Sequence, residues 1–382
     1  MSLASTIDVL VGVPQPGLET LTWLSRPVPV ALYGAGSVGR DSLRVLTQAG
    51  VVVRYFLDRT ARPGQTLAGV PVLKPDDPAI SPETRGETPV VVTIFNLWVE
   101  MPPLHDELRR QGWKTITTFL EFYQPFAREL GDRFWLTGLD FYRPYAAVLQ
   151  TTAELWADDP SQELFERILR FRAAGDYSVL PRPDFDCQYF PEDLPAWPTP
   201  LRFVDCGACD GDTITQLMKL GLPVEALAAF EPDGANFAKL AESLSRLPAS
   251  VASVCAWPCG VGAEATQVRF DAGRGTGSAT SATGSQVVQC VALDQALPAF
   301  RPNLIKMDIE GAEYDALLGA REMIHRHRPG LAICLYHRPA HLWQIPLLLH
   351  DWNLGYRFFL RSHRFNGFEL VLYAMPVDSS AK

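Results

Sequence analysis

The stretch that most constrains the fold is Leu201 to Thr213, which reads LRFVDCGACDGDT. An apolar run ends in Asp205, a turn containing Gly207 and Gly211 follows, and helix-compatible residues then continue to Leu220. A strand, a tight glycine loop and the start of a helix bring backbone N–H groups against a nucleotide-like ligand. The chain is therefore expected to contain an α/β domain organised around this loop.

The residues of this loop favour a cationic ligand that carries no phosphate. A Lys-Ser/Thr pair, which would mark a phosphate-binding P-loop, is missing from its end. Asp210 and Asp212 make the loop too acidic for a pyrophosphate. S-adenosylmethionine, with its sulfonium and ammonium groups, fits this description. The alternative is a generic turn between a strand and a helix.

Two later strands supply further groups for such a ligand. The apolar run Val224–Phe230 ends in Glu231, where an acid can bond the two hydroxyls of a ribose. The third strand ends in Trp257, which could lie against an adenine ring. The Gly/Ser/Thr-rich segment 272–285 that comes later is expected to form a flap near the site.

A second dense stretch places acids at the end of the fourth strand. Asp308, Glu310 and Glu313 follow Leu304–Met307, where open α/β sheets carry their chemistry. Three acids this close repel one another unless a cation or hydrogen-bond donors accompany them. A helix is predicted from Tyr314 to about Arg326.

The next strand reaches His337 at its end. No metal is expected, although Asp308, Glu310 and His337 would be the ligands of one.

The N-terminal part carries its own glycine motif. The strand Val28–Leu32 runs into Gly34, Gly36 and Gly39 with G-x-G-x-x-G spacing, and Asp58 ends the following strand. A dinucleotide-binding fold places its ribose-binding acid at this position. The motif therefore predicts a site for NAD or another nucleotide. The alternative is a degenerate Rossmann-like domain that binds nothing.

Composition excludes some classes of partner. The 382 residues carry a net charge of −9, whereas nucleic acids and anionic membranes select basic surfaces. The first basic residue is Arg26, and the apolar stretch around Val90 to Val99 is about half a membrane span. The seven scattered cysteines are typical of reduced thiols. We therefore expect a cytoplasmic protein that binds neither nucleic acid nor membrane.

Residues from about Gln188 to Ala374 resemble the FkbM-type methyltransferases, a class I S-adenosylmethionine-dependent family. The resemblance rests on VDCGACDGDT, FEP, IKMDIEGAEYDAL and YHRPAHLWQIP, which begin at Val204, Phe230, Ile305 and Tyr336. It implies an α/β fold with a seven-stranded sheet of order 3-2-1-4-5-7-6, strand 7 being antiparallel. The N-terminal part resembles the Rossmann-like domain that accompanies some members. The expected domains are 1–122, Rossmann-like; 123–185, a helical linker; and 186–382, the methyltransferase.

The resemblance implies O-methyl transfer from S-adenosylmethionine to a small molecule or sugar. We assign His337 as the general base, with Asp308 and Glu310 beside it. The residues expected to bind the cofactor are Tyr189, Phe190, Asp205, Gly207, Ala208, Asp210, Gly211, Thr213, Glu231, Trp257 and Asp308. The alternatives are an NAD- or nucleotide-sugar-dependent enzyme, or a metabolite sensor, working through the first glycine loop. The oligomeric state is left open, with a homodimer as one option.

Overall fold

The computed structural model describes residues 21–25, 28–271, 279–280 and 286–377. These residues form two compact units. The first contains residues up to 150 together with 164–183 and 364–368, and the second contains 151–163, 184–363 and 369 onward. The predicted flap, 272–285, lies outside the described residues except for 279–280. The predicted domain limits at 122 and 185 stay predictions.

The first unit contains one sheet of short strands. Its strands are β1 (Val30–Tyr33), β2 (Val53–Leu57), β3 (Thr66–Leu67), β4 (Val70–Leu73), β5 (Val90–Val92) and β6 (Ile116–Thr117). They lie in the order β3-β4-β2-β1-β5-β6, and every neighbouring pair is parallel except β3 with β4. All four residues of β1 are buried, as a parallel strand covered on both faces requires.

The chain between residues 34 and 200 also forms helices, and the last two of these cross the boundary between the units. They are α1 (Ser37–Gln48), α2 (Pro82–Glu87), α3 (Met101–Arg110), α4 (Phe119–Tyr123), α5 (Ala127–Leu130), α6 (Ala146–Ala153) and α7 (Asp159–Ala174). Short 3₁₀ turns occur at Thr22–Ser25, Gln124–Phe126, Leu139–Tyr145, Tyr177–Val179 and Phe365–Gly367. In the first unit, Met101, Leu104 and Leu108 of α3 are buried in a core that also contains residues of β1 and β5. Their i, i+3, i+7 spacing is the reason that this segment is helical.

The second unit contains a larger sheet and a smaller one. Its strands are β7 (Leu201–Cys206), β8 (Val224–Phe230), β9 (Ser253–Trp257), β10 (Gly260–Val261), β11 (Thr266–Asp271), β12 (Ala279–Thr280), β13 (Gln286–Val291), β14 (Leu304–Met307), β15 (Gly330–Cys334), β16 (Tyr356–Ser362) and β17 (Leu370–Pro376). The seven-stranded sheet has the order β9-β8-β7-β14-β15-β17-β16, with β17 antiparallel to both neighbours. The four-stranded sheet has the order β10-β13-β11-β12.

The helices of the second unit connect these strands. They are α8 (Asp212–Lys219), α9 (Gly234–Ser245), α10 (Leu293–Ala296), α11 (Glu313–Leu318), α12 (Arg321–His327) and α13 (His341–Asp351). The single helix predicted from Tyr314 to Arg326 is wrong, because α11 and α12 are separated at Gly319. A Cβ atom there would lie 2.1 Å from the carbonyl oxygen of Gly262, so another backbone segment occupies the space of a side chain.

The mixed α/β class predicted from the sequence is confirmed, with parallel pairing dominant in the larger sheets. β7, β8, β14 and β15 are parallel neighbours, so their carboxyl ends meet at one edge. Among the helices of the described ranges, none combines the length and the apolar character that a membrane span requires.

Candidate functional site

The glycine loop after β7 is held against the ends of two neighbouring strands. The N–H groups of Gly207 and Ala208 both donate to the carbonyl oxygen of Phe230, at 3.0 Å each. Gly207 has φ +80°, and a Cβ atom there would lie 1.9 Å from the carbonyl oxygen of Asp308. Glycine is therefore required at this position by both backbone conformation and space.

A buried ion pair lies beneath this loop. Lys306 Nζ is 3.0 Å from Asp205 Oδ1 and donates to the carbonyl oxygen of Gly207 at 2.6 Å. Burial disfavours the charged amine, but the neighbouring carboxylates, Asp205 first, raise the pKa of Lys306 above its ordinary value. Asp205, predicted as a cofactor ligand, is fully buried, so it reaches a ligand only through the loop that it supports.

The remaining loop residues differ in their exposure. Asp210 is exposed, whereas Ala208 and Thr213 are buried. Gly211 has φ +88°, and a Cβ atom there would approach the Ser243 side chain to 2.9 Å. The exposed part of the loop therefore presents the Asp210 carboxylate, while Gly211 allows the loop to pack closely against Ser243.

Glu231 ends β8 and ties the loop to that strand. Its Oε2 accepts the N–H of Cys209 at 2.9 Å, and its Oε1 accepts the N–H of Asp233 at 2.8 Å. Burial raises the pKa of Glu231, while these two N–H donors oppose the change. Trp257 ends the next strand, is 36% exposed, and lies nearly parallel to the ring of Phe230. The predicted ribose acid and adenine-facing tryptophan thus end adjacent strands.

The acids after β14 surround a buried histidine. His337 Nε2 lies 3.4 Å from Asp308 Oδ1 and 3.7 Å from Glu310 Oε2, and its Nδ1 lies 2.7 Å from Glu313 Oε1. Glu313 also accepts the N–H of Ile309 at 2.9 Å and forms a 3.1 Å ion pair with His341. The cationic partner that the three acids require is therefore His337.

These contacts determine the protonation states of His337 and Glu310. Burial alone would lower the pKa of His337, but Glu313, Glu310 and Asp308 together raise it to about 10. Burial raises the pKa of Glu310 to about 7, with the imidazolium opposing and Asp308 adding to the rise. At neutral pH His337 already holds its proton. This argues against the general-base role that we assigned to it from its place in the sequence, because an imidazolium cannot accept another proton.

Tyr189 is held from four directions. Its φ is +67°, its N–H is bound by Tyr373 Oη at 3.0 Å, and its carbonyl oxygen accepts Trp197 Nε1 at 2.9 Å. Its hydroxyl donates to Asp308 Oδ2 at 2.8 Å, and its ring lies over Lys306 Nζ. A positive φ in a bulky residue is strained and persists only when the surroundings hold it. Its predicted neighbour, Phe190, is buried.

Three potential ligand atoms of a metal ion also meet here. Atoms of Asp308, Cys334 and Glu369 lie within 4.8 Å of one another. Each already has a partner, since phenols contact all three groups. We therefore interpret the cluster as a hydrogen-bonded network and assign no metal to it.

The comparison with known proteins bears on this region. Residues 205–358 match the family model of the methyltransferase FkbM domain. This region is an FkbM methyltransferase domain. The match covers the glycine loop, Glu231, the acids after β14 and His337.

Solved structures extend the similarity of fold beyond the FkbM domain. The methyltransferase FkbM of Methylobacillus flagellatus KT is 22% identical, with a TM-score of 0.78 and 97% of both chains covered. The match to an rRNA methylase of Streptococcus thermophilus covers 46% of this chain and 86% of that chain, at 13% identity and a TM-score of 0.29. No curated protein matches the sequence. The chain thus shares its fold with a methyltransferase over nearly its whole length.

Outside the FkbM domain, the first unit brings its predicted glycines and acid together. Asp58 Oδ2 accepts the N–H of Ala35 at 3.1 Å, and its Oδ1 accepts both donors of Thr60. Gly34 has φ +114°, whereas Gly36 is exposed and has open space around it. The loop and the acid of the motif therefore meet, but both carboxylate oxygens of Asp58 already accept hydrogen bonds from Ala35 or Thr60.

Gly39 and Gly36 make a matched pair for a stability prediction. A Cβ atom at Gly39 would lie 2.1 Å from the carbonyl oxygen of Gly34, and one at Gly36 would meet nothing within 4 Å. We expect Gly39→Ala to lower the free energy of unfolding by about 1–3 kcal/mol or more. Gly36→Ala should change it by less than about 1 kcal/mol. Urea unfolding checks both, and equal effects would contradict the packing argument.

Two groups of functional interest escaped the sequence-based assignment. Glu369 contacts Tyr336 Oη at 3.1 Å and Gln188 Nε2 at 2.6 Å, which connects it to Asp308. Its signal in the sequence was an acid between the apolar residues Phe368 and Leu370. Glu313 was recognised as one of three crowded acids, but its position as the buried partner of His337 was not.

Proposed function

We propose that the FkbM domain is an S-adenosylmethionine-dependent O-methyltransferase whose acceptor is the hydroxyl of a small molecule or sugar. The observation that supports this proposal is the position of Glu231 beside the glycine loop, with Asp308 after β14 on the other side of β7. An acid at the second strand end can bind ribose hydroxyls, and further acids suit a ligand with two cationic groups. When bound, S-adenosylmethionine supplies a methyl group on a sulfonium.

The residues that would hold this cofactor fit its chemistry. The loop carries exposed acid and backbone rather than a phosphate-binding lysine. Trp257 has an exposed ring next to Glu231, whose N–H donates to the Trp257 carbonyl at 3.1 Å. We propose Glu231 for the ribose, Trp257 for the base, and Asp308 for the cationic end.

Glu310 is the better candidate for the base. A hydroxyl must lose its proton during O-methylation, and a base whose pKa lies near the working pH removes it most effectively. The pKa of Glu310 is raised to about 7 by burial, and its side chain is 19% exposed. His337, held as a cation, would stabilise the ionised form of Glu310. We therefore propose Glu310 as the base and His337 as its electrostatic partner.

The function is tested by transfer of a labelled methyl group. The protein is incubated with methyl-labelled S-adenosylmethionine and a panel of sugars, nucleotide sugars and small alcohols. The expected result is label on a hydroxyl of at least one acceptor, with S-adenosylhomocysteine formed in equal amount. Label found on nitrogen or carbon would contradict O-methylation.

A nucleotide in the first unit is a second proposal. It is favoured by the open N-terminal end of α1, where a Cβ atom at the N-cap residue Gly36 would meet nothing within 4 Å. Such an end can receive an anionic group. Thermal shift with NAD and nucleotide sugars tests it. A shift that Gly36→Ala removes supports the site, and no shift at millimolar ligand favours the degenerate alternative.

A further inference from the structure

The hydroxyl of Tyr336 lies between two carboxyl groups. Its Oη is 3.3 Å from Asp308 Oδ1 and 3.1 Å from Glu369 Oε1. A phenol carries one proton and can donate it to one acceptor at a time. The second close contact would set two electron-rich oxygens against each other unless that carboxyl group carries a proton of its own.

The surroundings indicate which carboxyl group carries the proton. Asp308 Oδ2 accepts the hydroxyl of Tyr189 at 2.8 Å, and its Oδ1 lies 3.4 Å from the imidazolium of His337. Asp308 therefore meets a hydroxyl donor on one oxygen and the His337 ring on the other. Burial and the charge of Asp308 raise the pKa of Glu369 to about 8. Asp308 is contacted on both oxygens by other groups, whereas the second oxygen of Glu369 accepts only Gln188 among the described residues. The proton that the Tyr336 contact requires therefore fits Glu369 better.

We infer that Glu369 is a protonated carboxylic acid at neutral pH and a positioning residue for Asp308. In this arrangement Gln188 donates to Glu369 Oε2, the acid proton on Oε1 is donated to Tyr336, and Tyr336 donates to Asp308. Together with Tyr189, this chain holds both oxygens of Asp308. The inference rests on the proposed function only where it assigns Asp308 to the methyl-transfer site.

Several ionisable or polar groups face Glu369 from the elements around it. Asp308 follows β14, and Gln188 and Tyr189 precede β7. Cys334, Tyr336 and His337 lie at the end of β15. Among these groups His337 is the cation, and its contact at 3.4 Å is with Asp308. A metal ion bridging Asp308, Cys334 and Glu369 would be the competing arrangement.

Infrared difference spectroscopy tests the protonation without any need for turnover. The spectrum of Glu369→Gln is subtracted from that of the wild-type protein at pH 7. The expected difference is the carbonyl stretch of a protonated carboxyl group, lost in the variant. Carboxylate bands in its place would overturn the inference. A stoichiometric metal in the wild-type protein, lost in Glu369→Gln, would also overturn it.

Kinetics with an acceptor from the labelled-methyl panel test the positioning role. Glu369→Ala should lower kcat about tenfold, the size of one lost hydrogen bond, and Glu369→Gln should restore most of that loss because an amide can make the same two bonds. Tyr336→Phe should match Glu369→Ala. A loss in Glu369→Gln as large as in Glu369→Ala would overturn the role. If wild-type protein methylates nothing, the proposed function fails while the infrared result still decides the protonation.

Discussion

Replacing Glu310 by glutamine is expected to lower kcat by about 10²–10⁴-fold, which is the usual contribution of a general base. The amide has the size of the carboxylate but cannot accept the hydroxyl proton. S-adenosylmethionine affinity should be retained, because we assign Glu310 to the acceptor and not to the cofactor. Steady-state kinetics and calorimetry on the same variant separate the two effects.

The pH dependence gives a second readout for Glu310. A base must be deprotonated, so kcat/KM of the wild-type protein should rise through about pH 7, the pKa to which burial raises Glu310. The Glu310→Gln variant should lack this rise. Glu242→Gln, on the exposed face of α9, is the control. A kcat near the wild-type value in Glu310→Gln would rule out the base assignment and leave proximity or another carboxylate.

Removal of Glu313 should produce the largest loss of stability among the acids after β14. Glu313→Ala leaves the buried His337 and His341 without their shared carboxylate, and breaking a buried charged pair typically costs about 3–5 kcal/mol. Exposed Glu242, which pairs with Arg246, provides the control, and Glu242→Ala should cost about 0.3–0.5 kcal/mol. Chemical unfolding of both variants measures the difference.

The buried pair of Glu313 and His337 also predicts how the free energy of unfolding changes with pH. The pKa of His337 is raised to about 10, so its contribution is complete below about pH 6.5 and is lost as pH rises through 10. His337 and His341 hold the pKa of Glu313 below its ordinary value despite burial, so that contribution is lost only at acidic pH. The free energy of unfolding should therefore fall between pH 7 and 10, and less so in Glu313→Ala. A flat profile in the wild-type protein would contradict the ion pair.

Much of the site could be predicted because parallel strands expose their carboxyl ends together. Glu231, Asp308 and His337 each follow an apolar run, and position in the chain is enough to place such residues at one edge of a sheet. The two glycine loops could be recognised because each one directly follows an apolar run that predicts a strand.

The protonation of the site residues and their contacts with distant parts of the chain could not be predicted from the sequence. The pKa of His337 depends on three carboxylates whose distances only the folded chain defines. Tyr189 owes its role to a positive φ and to contacts with Tyr373 and Trp197, which no spacing reveals. Glu369 lies 61 residues after Asp308 in the chain, and the hydroxyl of Tyr336 contacts both carboxyl groups.

Calorimetric titration measures whether the FkbM domain binds S-adenosylmethionine through Glu231. We expect one bound cofactor per chain, with Glu231→Ala weakening affinity by about 30- to 1,000-fold, or about 2–4 kcal/mol of charge-assisted hydrogen bonding. Glu225→Ala, at the opposite end of β8 and paired with Arg202, should bind like the wild-type protein. A wild-type protein that binds no S-adenosylmethionine, or a folded Glu231→Ala variant with unchanged affinity, would rule out cofactor binding through Glu231.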